Sequence, residues 1–367
     1  MRITGVEARA IRLPRDIAAA TGTAGSPTVL APGALDYRWS SVYPCLYSVN
    51  FETALVRVST DKGIFGWGEA QAPLAPEVAC AIIDRLLAPV LLGEEIGGPG
   101  DIARLWDRLY STMRVRGQTG GFMLDAIAAI DIALWDIVGK AESVSVAKLL
   151  CESPETRVPA YLSGLARGAD PGPFDKIKVF YDTAEPDEFF AHAPAHAAVD
   201  ALWRLTPDTA LDFGRELDRR GAMWFEAPLP PEDPLAHGEL AGRIETPVAL
   251  GESYRTRYEI APFYRANALR VFQPDLGRCG ISEARAMAER AAASGIEVVP
   301  HISVAFGPQL AAALHFAAAT PECDLAEYNP NIVAIANRFL SAPIVLDGTS
   351  YVIPEAPGLG VDFADLP

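Results

Sequence analysis

The sequence predicts an α/β protein: a β/α barrel of the TIM type with a smaller α+β domain in front of it. Two observations carry the barrel. First, short apolar runs each close on a polar residue: Ala197-Ala-Val-Asp200, Met223-Trp-Phe-Glu226, Val248-Ala-Leu-Gly-Glu252, Arg270-Val-Phe-Gln-Pro-Asp275, Glu297-Val-Val-Pro-His301 and Asp324-Leu-Ala-Glu327. Second, those ends recur at intervals of 26, 26, 23, 26 and 26 residues. A strand, a helix and two connections fill about that length, and in such a barrel the active site lies where the strands end. A third observation marks the other domain. Residues 1 to about 70 alternate as half-buried strands do, with no such repeat.

The bulk properties set limits. A chain of 367 residues allows two domains, and half of it is apolar. A net charge of −16 argues against nucleic acid and anionic membranes as partners. No window approaches the ~18 apolar residues of a membrane span. The N-terminus reads as a strand and not as a signal peptide. The five cysteines (Cys45, Cys80, Cys151, Cys279, Cys323) lack metal-site spacing and suit a reducing cytosol, so a cytoplasmic location is expected.

In chain order, residues 3–13 and 53–58 read as strands, and Asp61-Lys-Gly-Ile-Phe-Gly-Trp-Gly-Glu69 as a turn with its return strand. Between them lies a long Gly/Pro/Ala-rich segment, 20–43, which reads as a loop, either a lid or a surface loop without a role. Helical spacing covers 76–92, 102–113 and 121–140. Asp125, Asp131 and Asp136 on the last of these read as links to neighbouring elements. The expected division is a capping domain over 1–125, the barrel over 126–340, and a tail over 341–367 returning to the cap. Barrel strands one and two are expected at 158–163 and 176–180, and barrel helices at 207–220, 232–244, 258–266, 281–294 and 307–319. Between strands one and two lie only a dozen Gly/Pro-rich residues, 164–175. A parallel crossover needs at least ~10–12 residues, and this dozen cannot hold a full helix. The first barrel helix is therefore expected to be missing, and the second, around 185–193, to be short.

The strand ends carry the chemistry. Asp200, Glu226 and Glu252 converge from three successive strands and repel one another unless a cation sits among them. All-oxygen ligands favour a hard ion, and open positions for substrate suit Mg²⁺. One such acid would more simply cap a helix or pair with an arginine, but three at equal spacing would not. Lys176 and Lys178 share one face of a strand by period two, expected to be the barrel interior. Two adjacent ammonium groups lower each other's pKa, which helps one act as a base. Asp275 and His301 end adjacent strands, so Asp275 can fix the His301 tautomer and make it a general acid or base. Glu327 either donates a hydrogen bond as a buried neutral carboxyl or forms a structural ion pair.

This order of Lys-x-Lys, Asp, Glu, Glu, Asp, His and Glu on successive strands resembles the enolase superfamily, and within it the mandelate racemase subgroup. Three phrases share that resemblance: Ala129-Ile-Asp-Ile-Ala-Leu-Trp-Asp136, Trp224-Phe-Glu-Ala-Pro-Leu229 and Gln273-Pro-Asp-Leu-Gly-Arg278. It implies a capping domain and a modified (β/α)₇β barrel across nearly the whole chain. It also implies Mg²⁺ on Asp200, Glu226 and Glu252, Lys178 as base on one face of the substrate, and His301 backed by Asp275 on the other. Lys176 would touch the substrate carboxylate and Glu327 would hydrogen-bond its oxygens. Two departures stand out: many relatives have Asn two residues after the first metal ligand, where this chain has Leu202, and the missing first barrel helix flanks the strand that presents Lys176 and Lys178.

The implied reaction begins with abstraction of the proton α to a carboxylate. Loss of the β-hydroxyl then gives a 2-keto-3-deoxy acid, and a sugar-acid (aldonic or aldaric) dehydratase is the favoured expectation. The alternatives are a racemase, epimerase or cycloisomerase using the same bases, or a degenerate barrel that only binds a metal or metabolite. Selectivity is expected from cap loops carrying Arg38, Trp39, Arg114 and Arg116. The family resemblance also implies a homo-oligomer.

Overall fold

The computed structural model describes residues 1–14, 36–40, 45–165, 168–183 and 185–366. Strand β1 (Ile3–Pro14) is the long N-terminal strand. Strands β2 (Tyr37–Ser40) and β3 (Cys45–Ser48) form an antiparallel hairpin. Strands β4 (Asn50–Thr60) and β5 (Phe65–Ala70) complete an antiparallel sheet in the order β1-β4-β5. The hairpin corrects part of the expected loop over 20–43. Tyr37-Arg-Trp-Ser40 pairs residue by residue with Cys45–Ser48, Trp39 opposite Leu46. The expected loop residues 20–35 and 41–43 lie outside the described residues.

The barrel strands follow: β6 (Arg157–Leu162), β7 (Lys178–Phe180), β8 (Ala198–Asp200), β9 (Phe225–Glu226), β10 (Val248–Leu250), β11 (Val271–Phe272), β12 (Glu297–Val298) and β13 (Ala326–Tyr328). Strands β7 to β12 make one parallel sheet in consecutive order, the arrangement that right-handed β-α-β repeats produce. A Leu162–Ile177 bridge joins β6 to β7, and β13 runs parallel to β6. The Val298 N–H donates to the Glu322 carbonyl at 3.1 Å across the remaining seam.

No helix lies between β6 and β7 among the described residues, and the next connection holds only the five-residue helix Pro186–Phe190. Elsewhere the helices are full. Pro207–Arg220 starts on a Thr206/Thr209 capping box and stops at Gly221, whose φ of 63° a side chain would disfavour. Leu276–Ala292 starts on Asp275 and kinks at Gly280.

Helix Phe122–Glu142 forms the seam between cap and barrel. It is mostly apolar and is buried from Met123 to Gly139. On the cap side it packs on β5 at Gly66 and Gly68, where a Cβ would stand 2.1 Å from the Ala133 carbonyl oxygen and 1.8 Å from that of Ala129. Its three aspartates are links. Asp125 meets the Arg255 guanidinium at 2.7 Å. Asp131 accepts from the Ser282 backbone and hydroxyl at 2.9 and 2.5 Å. Asp136 accepts from the Trp67 and Leu359 backbones and pairs with Lys140 at 2.6 Å.

The tail forms a hairpin of β14 (Val345–Asp347) and β15 (Ser350–Val352), and β15 pairs antiparallel with β6. Further on, Asp362 accepts from the Trp67 indole at 2.8 Å, and the Phe363 ring meets Trp67 edge-on. The tail thus touches both barrel and cap. No described helix is long and apolar enough to cross a membrane.

Candidate active site

Parallel register sets the carboxylates side by side. Asp200, the last residue of β8, lies level with Glu226, the last of β9. Glu252 follows β10 by two residues, Asp275 and His301 form a parallel bridge beyond β11 and β12, and Glu327 sits within β13. Lys178 opens β7 and is 1% exposed. Its Nζ lies 2.7 Å from Glu226 Oε1, 3.0 Å from Glu327 Oε1 and 3.9 Å from Asp200 Oδ2.

Two expectations about the lysines need correction. Lys176 is exposed, and Lys178 is buried. The period-two argument needs a strand through both residues, but β7 begins only at Lys178, with Ile177 in an isolated bridge. The structure therefore does not bring Lys176 to the cluster, and no second ammonium lowers the Lys178 pKa. Burial opposes the Lys178 charge, but Glu226 and Glu327, with Tyr161 and Asp200, outweigh it and hold the pKa well above the ordinary lysine value.

Of the two readings of Glu327, the structure shows the ion pair. Its Oε2 accepts from the Ile302 N–H at 2.9 Å, and its Oε1 pairs with Lys178. Burial works against its charge, yet Lys178 and His301 hold its pKa below the ordinary range. Here it is an ionised acceptor rather than a neutral donor.

His301 and Asp275 are joined as expected from adjacent strand ends, with Nδ1 2.9 Å from Asp275 Oδ2. The other ring nitrogen, Nε2, lies 2.9 Å from Glu252 Oε2. Burial opposes an imidazolium, but the Glu252 charge and the hydrogen bonds to Asp275 and Glu252 raise its pKa well above the ordinary histidine value. Glu252, in turn, is held well below the carboxylate range despite burial, first by the His301 charge.

The donor set fits a hard cation. Burial, then the neighbouring Glu226 and Glu252 charges, push the Asp200 pKa well above its ordinary value, and among the described residues five carboxylates (Asp200, Glu226, Glu252, Asp275 and Glu327) pair only with Lys178 and His301. Among the described residues, Glu226, Glu252 and His301 bring ligand atoms within 4.8 Å of one another. His301 is less apt than Asp200 as a ligand. Both its nitrogens already face carboxylates, whereas the crowded oxygens of Asp200 need a cation.

Further residues surround the cluster beyond those the sequence points to. The Trp224 indole and the Gln273 amide both donate to Glu226 Oε2, at 2.9 and 2.8 Å. Each lies two residues before a strand-end acid, within phrases that carry the family resemblance. The Trp203 indole donates to Glu252 Oε1 at 2.7 Å. Gln309 donates to Asp275 Oδ1 at 3.2 Å. No sequence signal marks Trp203 or Gln309, because their partners come from other strands. Of the cap arginines, Arg114 lies over the Tyr110 and Tyr258 rings.

Residues 47–151 match the family model of the mandelate racemase / muconate lactonizing enzyme N-terminal domain, and residues 188–366 match that of the enolase C-terminal domain-like fold. The stretch between the matches carries β6, the helix-less connection and β7 with Lys178. The chain is 30% identical to D-galactarolactone cycloisomerase of Agrobacterium fabrum, over 84% of this chain and 88% of that protein. It is 29% identical to arabinonate dehydratase of Saccharolobus solfataricus, over 86% and 89%. A crystal structure of a member of the enolase superfamily from Agrobacterium tumefaciens superposes with a TM-score of 0.89 at 30% identity, covering 99% of this chain and 97% of that one.

Proposed function

This chain belongs to the mandelate racemase / muconate lactonizing enzyme family of the enolase superfamily, and we propose that it is a Mg²⁺-dependent enzyme that abstracts the α-proton of a sugar acid and expels the β-oxygen. The observation that carries this reading is that Lys178 and the His301–Asp275 pair reach one carboxylate cluster from the two ends of the six-stranded sheet. A base at Cα and an acid at the leaving oxygen on the adjacent carbon are what β-elimination needs.

Asp200, Glu226 and Glu252 would hold the cation. A hard cation there would supply positive charge where negative charge develops on the substrate carboxylate. The neutral Lys178 amine takes the Cα proton. His301, its Nδ1 fixed by Asp275, gives a proton from Nε2 to the departing oxygen. Lys176, exposed and two residues before Lys178, takes no part in this step.

The leaving oxygen decides the overall reaction. A free hydroxyl leaves as water, giving a 2-keto-3-deoxy acid, which is dehydration. A ring oxygen of a sugar-acid lactone stays attached, so the ring opens and the product is an isomer. The similarity to a D-galactarolactone cycloisomerase favours keeping this second reading beside the dehydratase.

Incubation with Mg²⁺ in D₂O against aldonic acids, aldaric acids and their lactones, followed by NMR, tests both. A new CH₂ or CHD beside a ketone supports elimination, and the responding substrate distinguishes the two readings. Configurational change at Cα without loss of the β-oxygen would instead identify an epimerase. Absence of Cα exchange on every acid and lactone tested would count against the proposal.

A further inference from the structure

We infer that Trp203 is a positioning residue for the cation site, holding Glu252 through its indole N–H; the inference rests on the Mg²⁺ reading above.

The loop after β8 is built around this contact. Leu202 and Trp203 both adopt left-handed backbone, with φ of 58° and 60°, which side chains other than glycine disfavour. The turn is pinned on every side. The Leu202 N–H donates to Asp200 Oδ1 at 2.9 Å, the Trp203 N–H to the Ala227 carbonyl at 2.7 Å, and the Arg204 N–H to the Ala201 carbonyl at 3.2 Å. The Arg204 guanidinium then ties the loop to the Tyr181 and Thr183 carbonyls. Strained backbone held this firmly is characteristic of functional sites.

The consequence of the turn is the direction of the indole. It reaches from β8 past β9 to Glu252 beyond β10, where Nε1 lies 2.7 Å from Oε1. The other oxygen of Glu252 faces His301. One carboxylate therefore stands between the loop of the first proposed ligand and the proposed acid. The indole fixes its plane, and that plane sets which lone pairs remain for a cation and which for His301. The Trp203 ring is half-buried and meets His237 and Tyr254 edge-on, so the aromatic neighbours hold it in that pose. Partners of this kind, one bond removed from the metal, typically change its affinity roughly 10–100-fold.

The test is Mg²⁺ titration by calorimetry of the wild type and Trp203→Phe, with circular dichroism to confirm the fold. Phenylalanine keeps a ring and loses the donor. Mg²⁺ affinity lower by roughly tenfold or more in a folded variant supports the inference. Equal affinities overturn it while leaving the metal reading intact. No Mg²⁺ binding by the wild type overturns both. If Trp203→Phe does not fold, ¹⁵N-indole spectra of the wild type with Trp203 assigned decide instead: its resonance must shift when Mg²⁺ is added, and if it does not the inference fails.

Discussion

Asp275 and His301 close a parallel bridge at the ends of neighbouring strands, and each oxygen of Asp275 has a separate task. Oδ2 meets His301 Nδ1 at 2.9 Å, whereas Oδ1 accepts from the Gly277 N–H at 2.9 Å and from Gln309 at 3.2 Å. Asp275 is thus both the N-cap of helix Leu276–Ala292 and the fixed partner of the imidazole. The cap holds the carboxylate still, and the carboxylate aims Nε2 into the cluster.

His301→Asn should therefore lower turnover by about 10²–10⁴-fold, the usual contribution of a positioned acid, while Cα proton exchange through Lys178 continues. NMR in D₂O measures both on one sample. Full turnover in the variant would mean that another group expels the oxygen.

The strand-end acids are legible in the sequence because few arrangements besides a barrel close successive apolar runs on carboxylates at fixed intervals. His301 and Asp275 are legible for the same reason. Lys176 is not, because alternation holds only inside a strand, and where β7 begins is decided by pairing with β6 and β8. For Glu327 the sequence allows either a donor or an ion pair, and Lys178, from a strand far away in the chain, decides for the ion pair. The hairpin Tyr37–Ser40 with Cys45–Ser48 is hidden because its strands are four residues each and border a Gly/Pro-rich stretch. Trp203 is not legible at all. Its role depends on two consecutive left-handed residues and a partner 49 positions later, and neither leaves a pattern in the sequence.

Glu226 is the most heavily engaged of the three proposed ligands. Oε1 faces Lys178 and Oε2 takes two neutral donors. Glu226→Gln should weaken Mg²⁺ binding beyond the roughly 10–100-fold of an outer partner, because it removes a charge as well as a ligand atom. Calorimetry decides, and an unchanged affinity would remove Glu226 from the ligand set.

Gly68 lets β5 approach helix Phe122–Glu142 more closely than any side chain permits. A Cβ there would sit 1.8 Å from the Ala129 carbonyl oxygen, a backbone atom that cannot rotate away. Gly68→Ala should cost upwards of about 3 kcal/mol and loosen cap from barrel. Chemical denaturation measures the loss. A cost below about 1 kcal/mol would show that the seam can shift to accept a methyl group.

Glu69, beside it, gives the clearest pH dependence. The carboxylate is fully buried and accepts from the Thr53 hydroxyl at 2.9 Å and from the Phe306, Gly307 and Gln309 backbone N–H groups at 2.5, 3.1 and 3.1 Å. It joins the cap sheet to the start of helix Pro308–Ala319. Burial pushes its pKa up to about 7, against the pull of those donors, from an ordinary 4.5. The folded pKa is the higher one. Between about pH 4.5 and 7 the unfolded chain has lost a proton that the folded chain keeps. The unfolded state then binds fewer protons, so stability falls as pH rises through this window and levels off above it. The drop from this group is roughly 3 kcal/mol. Asp131, also buried and pushed up to about 7, adds in the same direction. Glu252 and Glu327, both held low, lose their contribution only as pH falls below the ordinary carboxylate range. Glu69→Gln isolates the effect. It should flatten the slope between pH 4.5 and 7, and it should cost about 1–3 kcal/mol throughout because its amide N–H faces a ring of donors. Denaturation midpoints across that range for wild type and variant are the measurement, and parallel curves would show that Glu69 stays ionised in the folded protein.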